Sequence, residues 1–80
     1  MIVTVQLFAS LKETLGDTID IEVPEPVTVT SLVQRFVELH PQFASAAGNL
    51  NVAVDLEYSR DDTPILPGQE VAMFPPVSGG

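Results

Sequence analysis

The stretch TVTSLVQRFVELHP, residues 28–41, restricts the architecture more than any other part of the chain. Its apolar positions Val29, Leu32, Val33, Phe36 and Val37 fall at i, i+3, i+4, i+7 and i+8, which predicts an amphipathic helix with one buried face. Thr28 suits the N-cap, because a threonine side chain can accept from the unpaired amides of the first turn. The helix is expected to stop near His40, since Pro41 disfavours helical geometry in the residue before it. A chain of 80 residues forms one domain and buries only about 60 to 65% of the surface its unfolded form exposes. One main helix must therefore cover one modest core.

The segments around it read as strands. IVTVQLF places Val3, Val5 and Leu7 on one face and Thr4 and Gln6 on the other, the period of two of a half-buried strand. ASLKETLG then offers about two helical turns closed by Gly16. TIDIEV alternates Ile19, Ile21 and Val23 inward against Asp20 and Glu22 outward, forming a second strand antiparallel to the first, and the prolines of PEP at 24–26 end it. After the main helix, QFASAAG provides a short helical turn ending at Gly48. NVAVDL resumes the alternation, with Val52, Val54 and Leu56 in phase for the core. A short strand is expected around Tyr58. DDTP and LPGQ carry turn chemistry, with Pro67-Gly68 suited to the centre of a type II turn, and EVAMF closes the domain as a strand. The order strand, strand, helix, strand, short strand, strand matches an α+β, ubiquitin-like β-grasp fold: a mixed sheet of four or five strands packed under one helix. A ferredoxin-like fold requires two substantial helices, and QFASAA is too short to be the second. The domain is expected over residues 1–74, with an extended, flexible tail over 75–80.

Composition removes several function classes. With 45% hydrophobic residues the chain is globular despite a charged fraction of 18%. It contains no cysteine, which excludes disulfides, thiolate metal sites and thiol catalysis by the chain itself. Eleven acidic residues against three basic ones give a net charge of -8, which repels phosphate backbones and anionic lipid heads, so neither nucleic acid nor membrane is an expected partner. Such a surface serves either to steer the chain towards a basic partner or to keep it in solution, and composition does not choose between them. MIVTVQLF lacks the basic start of a signal peptide, and no apolar run reaches the roughly 18 residues of a membrane span, so a cytoplasmic location is the expectation.

Catalytic groups are scarce. His40, the single histidine, stands at a helix end before proline, where its role is to face the negative end of the helix dipole. Asp61 and Asp62 lack further spaced oxygen ligands and read as a solvated turn, so no metal site is expected. No glycine-rich loop joins a strand to a helix in the way a phosphate cradle requires.

The closing stretch FPPVSGG carries the chemistry that the rest lacks. Pro75 and Pro76 favour extended polyproline geometry, and six residues from 75 to 80 reach on the order of 20 Å. Gly79 and Gly80 have no Cβ, so a narrow channel can close around their backbone and approach a terminal carboxylate. A carboxylate is a poor electrophile until it is activated; joined to AMP as a mixed anhydride, it can be attacked by a sulfur nucleophile to give a thiocarboxylate.

LFASLKETLG, VTSLVQRFVELHP, VAVD and above all LPGQEVAMFPPVSGG resemble the small sulfur-carrier subunit family of molybdopterin synthase, nearly end to end. Lys12, Asp55 and Gln69 depart from the family pattern, which commonly has arginine, asparagine and aspartate there. The resemblance implies that Gly80 is adenylated by an enzyme related to ubiquitin activators, which consumes the ATP, and is converted to a thiocarboxylate by a sulfur donor protein. It also implies that Pro75, Pro76, Val77, Ser78 and Gly79 thread the tail into the large subunit, where sulfur passes to cyclic pyranopterin monophosphate. Two small and two large subunits would form a heterotetramer, the small subunit being non-catalytic and binding no cofactor of its own.

Phe8, Tyr58 and Phe74, at strand ends where one small core cannot absorb all three, are the expected partner-binding residues, with Met73 leading into the tail. Three other readings use the same residues. A thiamine-pathway carrier also ends in Gly-Gly, but usually lacks the LFASLKETLG insertion and the double proline. A ubiquitin-like modifier would join Gly80 to lysines of target proteins. A plain interaction domain would have inert glycines.

Overall fold

The computed structural model describes residues 1–76. Its elements are β1 (Ile2–Leu7), α1 (Ala9–Leu15), β2 (Thr18–Glu22), α2 (Val29–Leu39), a 3₁₀ segment (Pro41–Asn49), β3 (Asn51–Val54), β4 (Glu57–Ser59) and β5 (Val71–Phe74). The strands form one sheet in the order β2-β1-β5-β3-β4. β1 pairs antiparallel with β2 and parallel with β5, and β3 pairs antiparallel with both β5 and β4. A mixed five-stranded sheet with one long helix is the β-grasp arrangement that the element order implies.

One face of the sheet and one face of α2 make the core. Along β1 burial alternates strictly, with Val3, Val5 and Leu7 inside and Ile2, Thr4 and Gln6 outside. Leu7, Met73 and Val52 lie side by side across β1, β5 and β3, and all three are buried. They belong to the same core cluster as Leu32 and Phe36 of α2. Each such aliphatic or aromatic side chain contributes about 1.5–3 kcal/mol when removed from water.

α2 starts where Thr28 caps it. The Ser31 amide donates to Thr28 Oγ1 (3.2 Å) and the Thr28 amide donates to Ser31 Oγ (2.9 Å), a reciprocal capping box with serine in the place usually taken by glutamate. The Val29 and Thr30 amides, which no helical carbonyl can reach, donate to the Thr63 and Asp61 carbonyls at 3.0 and 2.8 Å. The turn after β4 is thereby fastened to the start of the helix. At the other end the His40 amide donates to the Phe36 carbonyl (2.9 Å), so the helix stops at the residue before Pro41.

Three details differ from the sequence expectation. The 42–48 turn is a longer 3₁₀ segment with no buried residue, and its Phe43 stacks on Phe36 with ring centroids 5.5 Å apart. β3 ends at Val54, so Leu56 does not join the core: it is 88% exposed. Asp55 (φ 50°) and Leu56 (φ 70°) form the two-residue turn between β3 and β4, and the left-handed conformation at both positions breaks the alternation that Val52 and Val54 begin. Met73, expected to face a partner, is fully buried. Successive strand residues point to opposite faces, so with Phe74 on the open side Met73 must enter the core.

The turn at LPGQ forms as expected, with the Gln69 amide donating to the Leu66 carbonyl (3.2 Å) and Gly68 at φ +87°. Among the described residues no helix is long and apolar enough to cross a membrane.

Candidate functional site

α2 covers one face of the sheet and leaves the central strands bare on the other. On that open face Gln6, Ala72, Ala53 and Tyr58 lie in one row across β1, β5, β3 and β4. The two alanines form a low floor. Phe8, immediately after β1, and Phe74, at the end of β5, stand beside it, because the parallel pairing of β1 with β5 brings the two strand ends together. Their rings stack with centroids 4.6 Å apart and planes 14° from parallel, and Tyr58 meets Phe74 edge-on at 5.8 Å. A groove of about 190 Å³ opens between these aromatics, Leu56 and Glu70.

The three aromatics predicted to bind a partner therefore form one cluster. Phe8 is 39% exposed and Tyr58 76% exposed, while Phe74 is half-buried between them. Rings placed this way prefer offset stacking and edge contacts to isolation in water, so the cluster holds its own shape without help from the core. Pro75 is half-buried, and Pro76 is exposed as the last described residue; the aromatic cluster thus adjoins the start of the tail. Val77, Ser78, Gly79 and Gly80 lie outside the described residues.

Leu56 and Glu70 also border this groove and were not among the predicted partner residues. The signal for Leu56 was the pair Asp55-Leu56 between two alternating segments, which is the length of a tight hairpin turn and not the continuation of a strand.

Beneath the rim, Asp55 fixes the turn to the LPGQ loop. Its carboxylate accepts from the Glu70 amide (2.9 Å) and from Gln69 Nε2 (3.0 Å), while Gln69 Oε1 accepts from the Leu66 amide (2.7 Å). Asp55 and Gln69 are two of the positions that depart from the resembled family pattern. An aspartate at 55 can only accept, so its partner must donate, and a glutamine supplies both the donor for Asp55 and the acceptor for Leu66. Asparagine at 55 with aspartate at 69 would satisfy the same contact with donor and acceptor exchanged.

The other polar candidates have structural surroundings. The His40 ring lies tilted against Phe36 at the end of α2, with centroids 5.2 Å apart and planes at 46°. Asp61 and Asp62 are exposed in the turn after β4. Among the described residues no three His, Asp or Glu side chains converge as a metal site would need. A wider depression of about 670 Å³ between α2 and the β3–β4 edge is bordered by Thr30, Gln34, Ser59, Arg60 and Asp61, but the Ser59 hydroxyl donates to the Glu57 carbonyl (2.9 Å) and not to Asp61. The open aromatic face is shallow and mostly apolar, and among the described residues it brings together no reactive group.

The model of the ThiS family matches residues 5–80. The molybdopterin synthase sulfur carrier subunit of Dictyostelium discoideum is 41% identical over 78 residues, covering 92% of this chain and 91% of that protein. The protein of the same description from Escherichia coli is 36% identical over 81 residues, covering 98% and 99%. Among solved structures, a Pyrococcus furiosus protein described as molybdopterin converting factor subunit 1 superposes with a TM-score of 0.80 at 29% identity, covering 96% of this chain and 99% of that one. SAMP1 of Haloferax volcanii superposes with a TM-score of 0.79 at 30% identity over all of both chains. A Helicobacter pylori complex of subunits 1 and 2 of molybdopterin-converting factor includes a chain of the same fold, with a TM-score of 0.65 at 22% identity and full coverage of both chains.

Proposed function

The chain belongs to the ThiS family, and on that premise we propose that it is the small sulfur-carrier subunit of molybdopterin synthase, with the carboxylate of Gly80 as the group that is loaded and discharged. The observation carrying this reading is the near full-length similarity to two sulfur carrier subunits of that synthase. The geometry supports it by placing an exposed aromatic cluster where the body of the domain hands over to the tail.

The division of labour follows from what the chain lacks and what it presents. An adenylating partner joins Gly80 to AMP at the expense of ATP, forming the C–O bond of a mixed anhydride and releasing pyrophosphate. The outer sulfur of a persulfide on a donor protein then attacks the carbonyl carbon; the C–O bond to AMP breaks as the C–S bond forms, giving an acyl disulfide. A second thiol of the donor breaks its S–S bond, so that the thiocarboxylate stays on Gly80, AMP leaves and the donor keeps a disulfide. With no cysteine in the chain, no internal thiol competes for the activated carbonyl. The loaded tail, led by Pro75, Pro76, Val77, Ser78 and Gly79, enters the large subunit of a heterotetramer of two small and two large subunits. There the sulfur bonds to a carbon of cyclic pyranopterin monophosphate, and water cleaves the thioester link to Gly80, leaving the sulfur on the pterin and restoring the carboxylate. Phe8, Tyr58 and Phe74 seat the domain on that subunit. The domain itself binds no cofactor and supplies no catalytic side chain.

Intact-mass measurement after incubation with the activating enzyme, ATP and a sulfur donor tests this. The expected product is heavier by the exchange of one oxygen for one sulfur, and the gain disappears when Gly80 is deleted. An unchanged mass with partners shown to load another carrier rules the proposal out.

The likeness to SAMP1, whose fold is also described as that of a small archaeal modifier protein, favours a second reading in which an amine replaces sulfur as the acceptor. Both readings require the same activated Gly80. A ladder of lysine conjugates, absent when Gly80 is removed, would distinguish the modifier.

A further inference from the structure

We infer that Leu56 is a partner-contact residue, held out from the open sheet face by a strained turn that lowers the stability of the free domain. This rests on the reading of that face as the seat of the synthase large subunit. Leu56 is 88% exposed, contributes nothing to the core, and occupies the left-handed region at φ 70°. Two-residue hairpin turns of this kind prefer Asn-Gly or Asp-Gly, because both central residues need positive φ. Asp55 meets that preference at the first position, but a leucine takes the second, where its Cβ crowds the backbone. Within the isolated chain this choice brings strain and an apolar side chain in water.

The surroundings show what such a choice serves. A lone exposed leucine is ordinary. Leu56, however, borders the same groove as Phe8, Tyr58 and Phe74, and extends the apolar surface from the aromatic cluster to the tip of the β3–β4 hairpin. The other positive-φ residue that is not glycine, Ala9, directly follows Phe8, so among the described residues every non-glycine residue with this backbone conformation flanks the open face. Strain retained beside a surface that the fold does not need exposed is the pattern expected of a binding site.

Charge specifies the occupant further. Asp55 and Glu57 flank Leu56 in sequence, and Glu70 lines the groove. An apolar side chain that borders a groove with the Glu70 carboxylate fits a protein socket that is apolar at its centre and carries lysine or arginine at its border. The large subunit is expected to present such a socket opposite the hairpin tip. Leu56 would then be a determinant of which large subunit the carrier joins, separate from the aromatic cluster that supplies the bulk of the contact.

Leu56→Asn separates the two effects, because asparagine tolerates the left-handed region and removes the apolar contact. Thermal unfolding and calorimetric titration with the purified cognate large subunit are measured for Leu56→Asn, Leu56→Met and, as a reference for the face itself, Phe74→Ala. Leu56→Asn is expected to raise the unfolding midpoint by a few degrees and to weaken binding by about tenfold or more. Leu56→Met, which keeps both the strain and an apolar side chain, should recover most of that affinity but not the added stability. Unchanged binding in Leu56→Asn, with binding weakened in Phe74→Ala, overturns the role of Leu56 and leaves the docking face standing. Unchanged binding in both overturns the docking face and Leu56 with it. A lowered midpoint in Leu56→Asn shows that leucine serves the fold, and the inference fails on that ground.

Discussion

Met73 and Phe74 are neighbours in β5 that face opposite ways, and replacing each by alanine should separate folding from docking. Met73 is fully buried, with Leu7 and Val52 beside it across the sheet. Truncating a buried methionine costs about 2–5 kcal/mol, because the neighbours collapse only partly into the space left behind. A domain of this length has a total stability of roughly 4–12 kcal/mol, so Met73→Ala removes a large share of it. At about 4–8 °C per kcal/mol for a small domain, the midpoint should fall by about 8 °C or more. Phe74 is half-buried and stacked on Phe8 at 4.6 Å, so its truncation forfeits a pair interaction of about 0.5–1.5 kcal/mol together with partial burial. The stability loss should be clearly the smaller of the two. In complex formation the order is expected to reverse: a central interface aromatic is worth about 2 kcal/mol or more, or roughly 30-fold in affinity for the large subunit, whereas fully buried Met73 offers no surface for contact. Urea unfolding and calorimetric titration, the latter at a temperature where both variants are folded, give the two quantities. If folded Met73→Ala binds as weakly as Phe74→Ala, or if Phe74→Ala is the less stable variant, the assignment of the two faces is wrong.

Two further outcomes follow from the turns. Gly68→Ala has open space for its Cβ but must adopt φ +87°, so it should lose about 1–2 kcal/mol through backbone strain alone, read as a lower urea midpoint with the slope unchanged. Gln69→Asp removes the donor to Asp55 and sets two carboxylates against each other; it should destabilise the domain, and adding Asp55→Asn should restore it, giving a coupling of about 0.5–1 kcal/mol in a double-mutant cycle. Additive effects would show that the Asp55–Gln69 contact contributes nothing.

Much of the fold was legible because its signals are local. The alternation in β1 and β2, the 3.6-residue period of α2, the Thr28 cap, the stop before Pro41 and the glycine at the type II turn each depend on residues within a few positions of one another. The exposed aromatic cluster was also recognisable, since Phe8, Tyr58 and Phe74 exceed what one small core can absorb. Leu56 and Met73 were misplaced for related reasons. Alternation assigns faces only while a strand continues and only relative to its neighbours. A two-residue turn after Val54 ended one strand earlier than its apolar pattern suggested, and the outward placement of Phe74 turned Met73 inward.

The sequence by itself determined the elements, the single core, the absence of thiol chemistry and the resemblance carried by the FPPVSGG stretch, because composition and short-range periodicity act along the chain. Only the tertiary structure decided that β1 and β5 lie side by side in parallel, which stacks Phe8 on Phe74 although 66 positions separate their numbers. It also decided that Asp55 and Gln69 are hydrogen-bonded partners, and that Leu56 stands at the edge of the same groove. Strand order and turn geometry arise from burying one sheet face under one helix, a condition on the whole chain that no local run of residues expresses.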